Sequence, residues 1–304
     1  MTFVLCIATA RSTWIVADTR LSGARTRDDG VKVLRLETVD GHALVGYAGL
    51  GTTARGVQPS DWMANVLRSR SHTVEESLSV IAEAAKAQIP RHLATFHKHG
   101  PIVEHHIIAA ALVNGVPRVY SMGIAADIPG KRVGFWASRH INGPGTPHPF
   151  QDYQRDLRMC MAGTGSNVLQ KPDAPKGWRR ALIRLVKARD RDALSADAVA
   201  SHLANLCFMV HRHEMPENGR AKTVGDRCVV AWLETGKPGG HAMYKAGRRE
   251  PGTPFIPTIV RGIDVLAPAR AFFRMVEKHG MNIDQAMLEE ELRKLPDGPD
   301  ERLW

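Results

Sequence analysis

The stretch TFVLCIATARSTWIVADTR, residues 2–20, decides how this chain is read. Phe3 to Ala8 and Thr13 to Ala17 are two short runs rich in β-forming residues, separated by polar or turn residues. Two similar runs follow, Val31 to Leu36 and His42 to Ala48. Between them Asp40-Gly41 is a strong hairpin signal, because glycine tolerates the positive φ of a tight turn. The first fifty residues therefore predict two adjacent hairpins.

Working outward, Thr73-Val74-Glu75-Glu76 has the spacing of a capping box, and Val74, Leu78, Ile81, Ala85 and Ile89 continue one apolar face at helical period. Pro90 is expected to bend or end that helix. His106 to Met122, broken at Asn114-Gly115, reads as another hairpin, and Arg132 to His140 and Leu157 to Ala162 as further strands. After the turn Gly163-Thr164-Gly165-Ser166 come helices over Trp178 to Ala188 and Ala196 to Val210, the second with Ser195 as N-cap, and then a strand over Cys228 to Leu233. Strands, helices, strands, helices and a last strand suggest two packed sheets covered by helices, not alternating βαβ units.

Past Glu234 the composition changes. Glycine and proline are frequent from Lys237 to Pro257, and a helical stretch from about Ala269 to Leu295 ends in a charged tail. The expected domain division is thus 1–235 and a C-terminal extension, 236–304, with Phe272, Phe273, Met275 and Val276 suited to packing or an interface.

The 304 residues include 41 Lys and Arg against 31 Asp and Glu, a formal charge of +10. A basic balance can mark attraction to nucleic acid or acidic membranes, but the basic residues are scattered and form no run that would track phosphates. Nucleic acid is therefore not the expected partner, and no apolar stretch of eighteen residues suggests a membrane span. Cys6, Cys160, Cys207 and Cys228 form no Cys-x-x-Cys pair and sit in apolar runs, as reduced core thiols do. With no basic n-region and apolar run at the start, the expected location is the cytoplasm. His105-His106 and His211-Arg212-His213 invite a metal reading, yet neighbouring positions on a strand point to opposite faces; no metal and no cofactor is expected.

In the order Thr2, Asp18, Arg20, Lys32 and Gly49, the chain resembles the N-terminal half of proteasome β subunits and the related bacterial HslV peptidases. From Thr2 to Arg20 the register matches without a gap, and the resemblance continues through Ala48-Gly49 and Gly163-Thr164-Gly165 to Gly225-Asp226-Arg227-Cys228, over about Thr2 to Glu234. It implies an α+β fold, a four-layer αββα sandwich of two antiparallel sheets covered by helices. It also implies a threonine-type peptidase acting on peptides or unfolded protein, assembled as a homo-oligomeric ring that an ATPase partner could feed.

The chemistry has its own logic. A threonine hydroxyl is a poor nucleophile until a base takes its proton, and an N-terminal threonine carries that base as its free α-amine, with an unperturbed pKa of about 7.7 to 8.0. Removal of Met1 would expose it at Thr2. By resemblance, Lys32 stabilises the alkoxide, Asp18 orients Lys32, Gly49 N–H donates to the oxyanion, and Thr164 stands near the nucleophile. Arg20 and Tyr47 are the substrate-binding candidates, Tyr47 because it lies close to Gly49 on the fourth strand. One departure stands out: the family often places an Asp and a Ser just before the glycine at Gly225, whereas here the string 221–225 reads AKTVG. Two other readings keep the fold, a small-molecule amidase with the same kind of nucleophile and a non-catalytic scaffold or RNA-binding homologue.

Overall fold

The computed structural model describes residues 2–21, 26–49, 51, 57–96, 103–126, 133–138, 158–171, 174, 177–215, 222–252, 255–281, 283–295 and 298–302. The apolar runs of the first fifty residues become β1 (Val4–Ala8), β2 (Ser12–Asp18), β3 (Val33–Glu37) and β4 (Gly41–Ala48). Val4 pairs with Ala17 across the first hairpin and Val33 with Gly46 across the second. Each hairpin seeds a sheet of its own.

The first sheet adds β8 (Arg158–Ala162), β9 (Arg227–Glu234), β10 (Lys237–Lys245) and β11 (Arg248–Arg249), in the order β11-β10-β9-β2-β1-β8. The second adds β5 (Val103–Val113), β6 (Val116–Ala126), β7 (Val133–Ser138), β12 (Thr258–Val260) and β13 (Ile263–Asp264), in the order β13-β12-β3-β4-β5-β6-β7. Among the described residues every pairing is antiparallel except β12 with β3. Arg132, His140 and Leu157, expected at strand ends, lie outside the described residues.

Period-two alternation divides the side chains between cores. Val4, Cys6 and Ala8 with Ile15 and Ala17 meet Leu44, Ala48 and Ile108 between the sheets. The opposite set, Phe3, Leu5, Ile7, Trp14 and Val16, faces a layer of α3 (Thr164–Gln170), α4 (Trp178–Asp190) and α5 (Ala196–His213). Leu34, Val45 and Tyr47 face α1 (Pro59–Leu67) and α2 (Val74–Phe96) on the other side. The fold is α+β, a four-layer αββα sandwich. A Cβ at Gly46 would come within 2.7 Å of Val4 Cγ1 and 2.8 Å of Ile15 Cδ1, so the two hairpins approach more closely here than a side chain permits.

The capping box of α2 forms: Thr73 Oγ1 accepts from Glu76 N at 3.2 Å, and Glu76 Oε2 from Thr73 N at 2.9 Å. Ser195 caps α5 by accepting from Ala198 N at 3.1 Å. Three helical details differ from expectation. Helix α2 continues through Pro90 to Phe96, the buried face of its earlier turns outweighing one lost backbone bond. Helix α1 was not expected, although Pro59 in its first turn and the buried Trp62, Met63, Val66 and Leu67 carry its signal. The glycine-flanked turn at Thr164 is the first turn of α3.

The boundary expected at 235 falls inside a hairpin. Thr235-Gly236 is the turn between β9 and β10, with Gly236 at φ 71°, and Ala242 and Tyr244 of β10 enter the core beneath α5. β12 extends the second sheet beside β3, so the later residues belong to both sheets and do not form an appendage. The expected helix from Ala269 to Leu295 is two, α6 (Ala267–His279) and α7 (Gln285–Arg293), parted after Gly280 at φ 66°. Met275 is buried, while Phe272 and Phe273 are exposed and lie in ring contact with each other, Phe273 also with Phe255. Asp264, itself buried, pairs with Arg68, the C-cap of α1, at 3.3 Å and with Arg270 of α6, and Trp62 Nε1 donates to Glu301 O at 3.0 Å. All four cysteines are buried free thiols. No helix among the described residues is long and apolar enough to cross a membrane.

Candidate active site

Thr2 precedes β1 and Asp18 closes β2, so the hairpin register brings them side by side. Asp18 N donates to Phe3 O at 3.1 Å, and Phe3 N donates to Asp18 Oδ1 at 2.7 Å. Lys32 enters from the other sheet, immediately before β3, and its backbone oxygen accepts from Tyr47 N at 3.2 Å. Its side chain reaches across: Nζ donates to Thr2 Oγ1 and, at 2.9 Å, to Asp18 Oδ1, while Thr2 Oγ1 also bonds Asp18 Oδ1. Hydroxyl, ammonium and carboxylate thus form one mutually bonded group where the two hairpins meet.

The group is dry. Thr2, Asp18 and Lys32 are 1%, 0% and 2% exposed, and a buried charge is tolerated only when paired and hydrogen-bonded. Asp18 meets that condition with Oδ2 as well, accepting from Gly225 N at 3.0 Å and Arg20 N at 3.1 Å. Burial pushes the Lys32 ammonium below the ordinary lysine value, and the attraction of Asp18 works against that fall.

A glycine cradle grips the backbone of Thr2. Gly165 N donates to Thr2 O at 3.2 Å, and a Cβ at Gly163, whose φ is 87°, would stand 2.1 Å from the same oxygen. Between these glycines Thr164 Oγ1 lies 2.6 Å from Thr223 Oγ1. Gly49 follows β4 at φ 118°, two residues past the bond from Tyr47 to Lys32, which puts it at the same end of its hairpin as Lys32.

The two substrate-binding candidates sit differently. Arg20 grips Asp28 with Nε at 2.5 Å and Nη2 at 2.8 Å, and Nη1 donates to Lys222 O at 3.0 Å. This links the loop after β2 to the turn before Gly225. Tyr47 is 1% exposed, on the face of β4 turned toward the helices, with its hydroxyl 3.0 Å from His105 Nδ1 and its ring edge-on to Trp62. The β3–β4 register, with Val33 opposite Gly46, sets Tyr47 across from Lys32. Met1 lies outside the described residues. Of the histidines weighed as ligands, His211 Nδ1 is 2.8 Å from Val224 O, and no metal-binding group is present among the described residues.

Sequence reasoning missed Glu214 and gave Thr223 no role. Glu214 follows α5, and its carboxylate accepts from Thr223 N at 3.0 Å, from Val224 N at 2.9 Å and from the Thr223 hydroxyl. A carboxylate from an earlier point in the chain thus bonds the residues just before Gly225. A Glu at the end of an apolar helix nine residues before a Thr is too ordinary a pattern to have revealed it.

No family model and no curated protein matches the chain. Among solved structures it is similar to the Anbu (Gly-1) mutant from Hyphomicrobium sp. strain MC1, at 11% identity over 94% of this chain and 99% of that one, with a TM-score of 0.44. It is also similar to Anbu, described as an ancestral beta-subunit, from Yersinia bercovieri, at 9% identity over 97% of each chain and a TM-score of 0.41. A third is the helical assembly of the Anbu complex from Pseudomonas aeruginosa, at 12% identity over 98% of each chain and a TM-score of 0.44. At these identities no residue role is carried over from them.

Proposed function

We propose that the chain is an N-terminal threonine hydrolase that cleaves amide bonds through an acyl-enzyme on Thr2, and that it works as a peptidase subunit of a homo-oligomeric ring. The observation that carries this reading is the contact of Lys32 Nζ with Thr2 Oγ1 in a buried site, with Asp18 bonded to both. A stability role alone does not call for an ammonium against a hydroxyl, because a buried ion pair rarely outdoes apolar packing of the same volume.

Loss of Met1 turns the peptide nitrogen of Thr2 into a primary amine. That amine takes the Oγ1 proton as Oγ1 bonds to the substrate carbonyl carbon, and Lys32 stabilises the oxygen charge that develops. Gly49 N–H would donate to the oxyanion, a contribution of about 3 kcal/mol in other hydrolases. The C–N bond then breaks, and the leaving amine departs with the proton held on the Thr2 nitrogen. Water attacks the ester, the same nitrogen takes its proton, and Oγ1 is regenerated. The scheme requires neither a cofactor nor a metal.

Hydrolysis of fluorogenic peptides tests the reading. Wild-type protein lacking Met1 turns them over, and Thr2→Ala and Lys32→Ala reduce the rate by at least about 100-fold. Unchanged turnover in Thr2→Ala refutes it. Sedimentation separates the peptidase from the amidase reading: a closed multi-subunit ring supports the former, and a monomer active on small amides but not on peptides supports the latter.

A further inference from the structure

Glu214 stands at the C-terminal cap of α5, its own N–H bonded to Val210 O at 2.9 Å, and it is 9% exposed. A carboxylate so placed is costly unless donors surround it. All the donors named above come from one turn, Thr223 to Val224, and the next residue of that turn delivers Gly225 N to Asp18 Oδ2 at 3.0 Å. The same turn sets Thr223 Oγ1 2.6 Å from the Oγ1 of Thr164, the residue between the two glycines that meet Thr2 O.

Proton counting fixes the direction of this chain. An ionised carboxylate only accepts, and a threonine hydroxyl has one proton. Thr223 gives its proton to Glu214, so in the contact between the two threonines Thr164 is the donor. Thr164 Oγ1 can then only accept from any further group.

We propose that Glu214 is a positioning residue for Thr2, acting through Thr223. It orients the Thr164 hydroxyl as an acceptor, and by clamping the 223–225 turn it holds Gly225 N–H on Asp18. The inference rests on the reading of Thr2 as nucleophile and extends it to a residue outside the Thr2, Asp18 and Lys32 group.

The test combines kinetics on a fluorogenic peptide with amide hydrogen exchange at Gly165 and Gly225, in the assembled full-length protein. In Glu214→Gln, kcat falls about tenfold or more while KM stays within about twofold, and exchange at both amides quickens. Thr223→Val removes a single hydroxyl at constant volume and gives the same split should the glutamine variant misfold; Thr223→Ser restores most of the lost rate. Wild-type kcat and unchanged exchange in folded Glu214→Gln overturn the proposal. Should the wild-type protein not hydrolyse peptides at all, the proposed function falls on its own, and exchange still decides: unchanged rates at Gly165 and Gly225 overturn the positioning role, and faster rates support it.

Discussion

At the residue scale the site is an exercise in sheltering charge. Lys32 and Asp18 are nearly inaccessible to water, and taking either partner away leaves the other buried and unpaired, at a cost of about 3 to 5 kcal/mol. Burial depresses the Lys32 pKa, so between the folded value and the ordinary lysine value the unfolded chain binds more protons. Stability then rises with pH across that window; it is fully gained above the unfolded value and lost as pH falls through the folded one. Urea titrations from neutral to alkaline pH should show this rise in wild type and a flatter profile in Lys32→Met. Equal slopes in the two proteins would remove burial of Lys32 as its cause. Thr2, Asp18 and Lys32 were legible in the sequence through the order and spacing that resemble the N-terminal half of proteasome β subunits. Glu214 was not legible, since its partners are set by a loop closure that no periodicity announces. Tyr47, expected as a pocket wall from its nearness to Gly49, packs edge-on to Trp62 and lies across from Lys32.

At the element scale, the active geometry depends on how closely two hairpins from different sheets can approach. Gly46 permits that approach, with Val4 and Ile15 where its side chain would be. Gly46→Val should destabilise by about 1 to 3 kcal/mol or more through overpacking and should slow turnover by moving Lys32 away from Thr2. Chemical denaturation together with peptide hydrolysis checks both, and a variant as stable and active as wild type would contradict the packing account. Ser195→Ala, by contrast, removes a peripheral cap and should cost about 1 kcal/mol without altering turnover. The capped and strongly periodic elements were readable in advance for this reason: their signals are local. Strand β10 was missed because the glycine and proline in its sequence read as loop, while tertiary burial of Tyr244 makes it regular.

At the scale of the whole molecule, the residues after 235 complete both sheets. β10 covers one side of β9, β12 extends the sheet beside β3, and Asp264 with Glu301 ties the end of the chain to α1. A chain truncated after Thr235 would expose the edge of β9 and remove Tyr244 from the core. It should lose the cooperative thermal transition of the full-length protein, as followed by circular dichroism; a truncated chain melting at the same temperature would restore the appendage. Composition suggested a boundary there because turn-forming residues cluster around a hairpin as readily as around a linker. The central claim is that Thr2, freed of Met1, is activated by Lys32. Intact mass spectrometry before and after a β-lactone or epoxyketone inhibitor tests it most directly. The account predicts a chain lacking Met1 that gains one adduct at Thr2, with no adduct in Thr2→Ala; a purified chain that retains Met1 and takes up no inhibitor would contradict it.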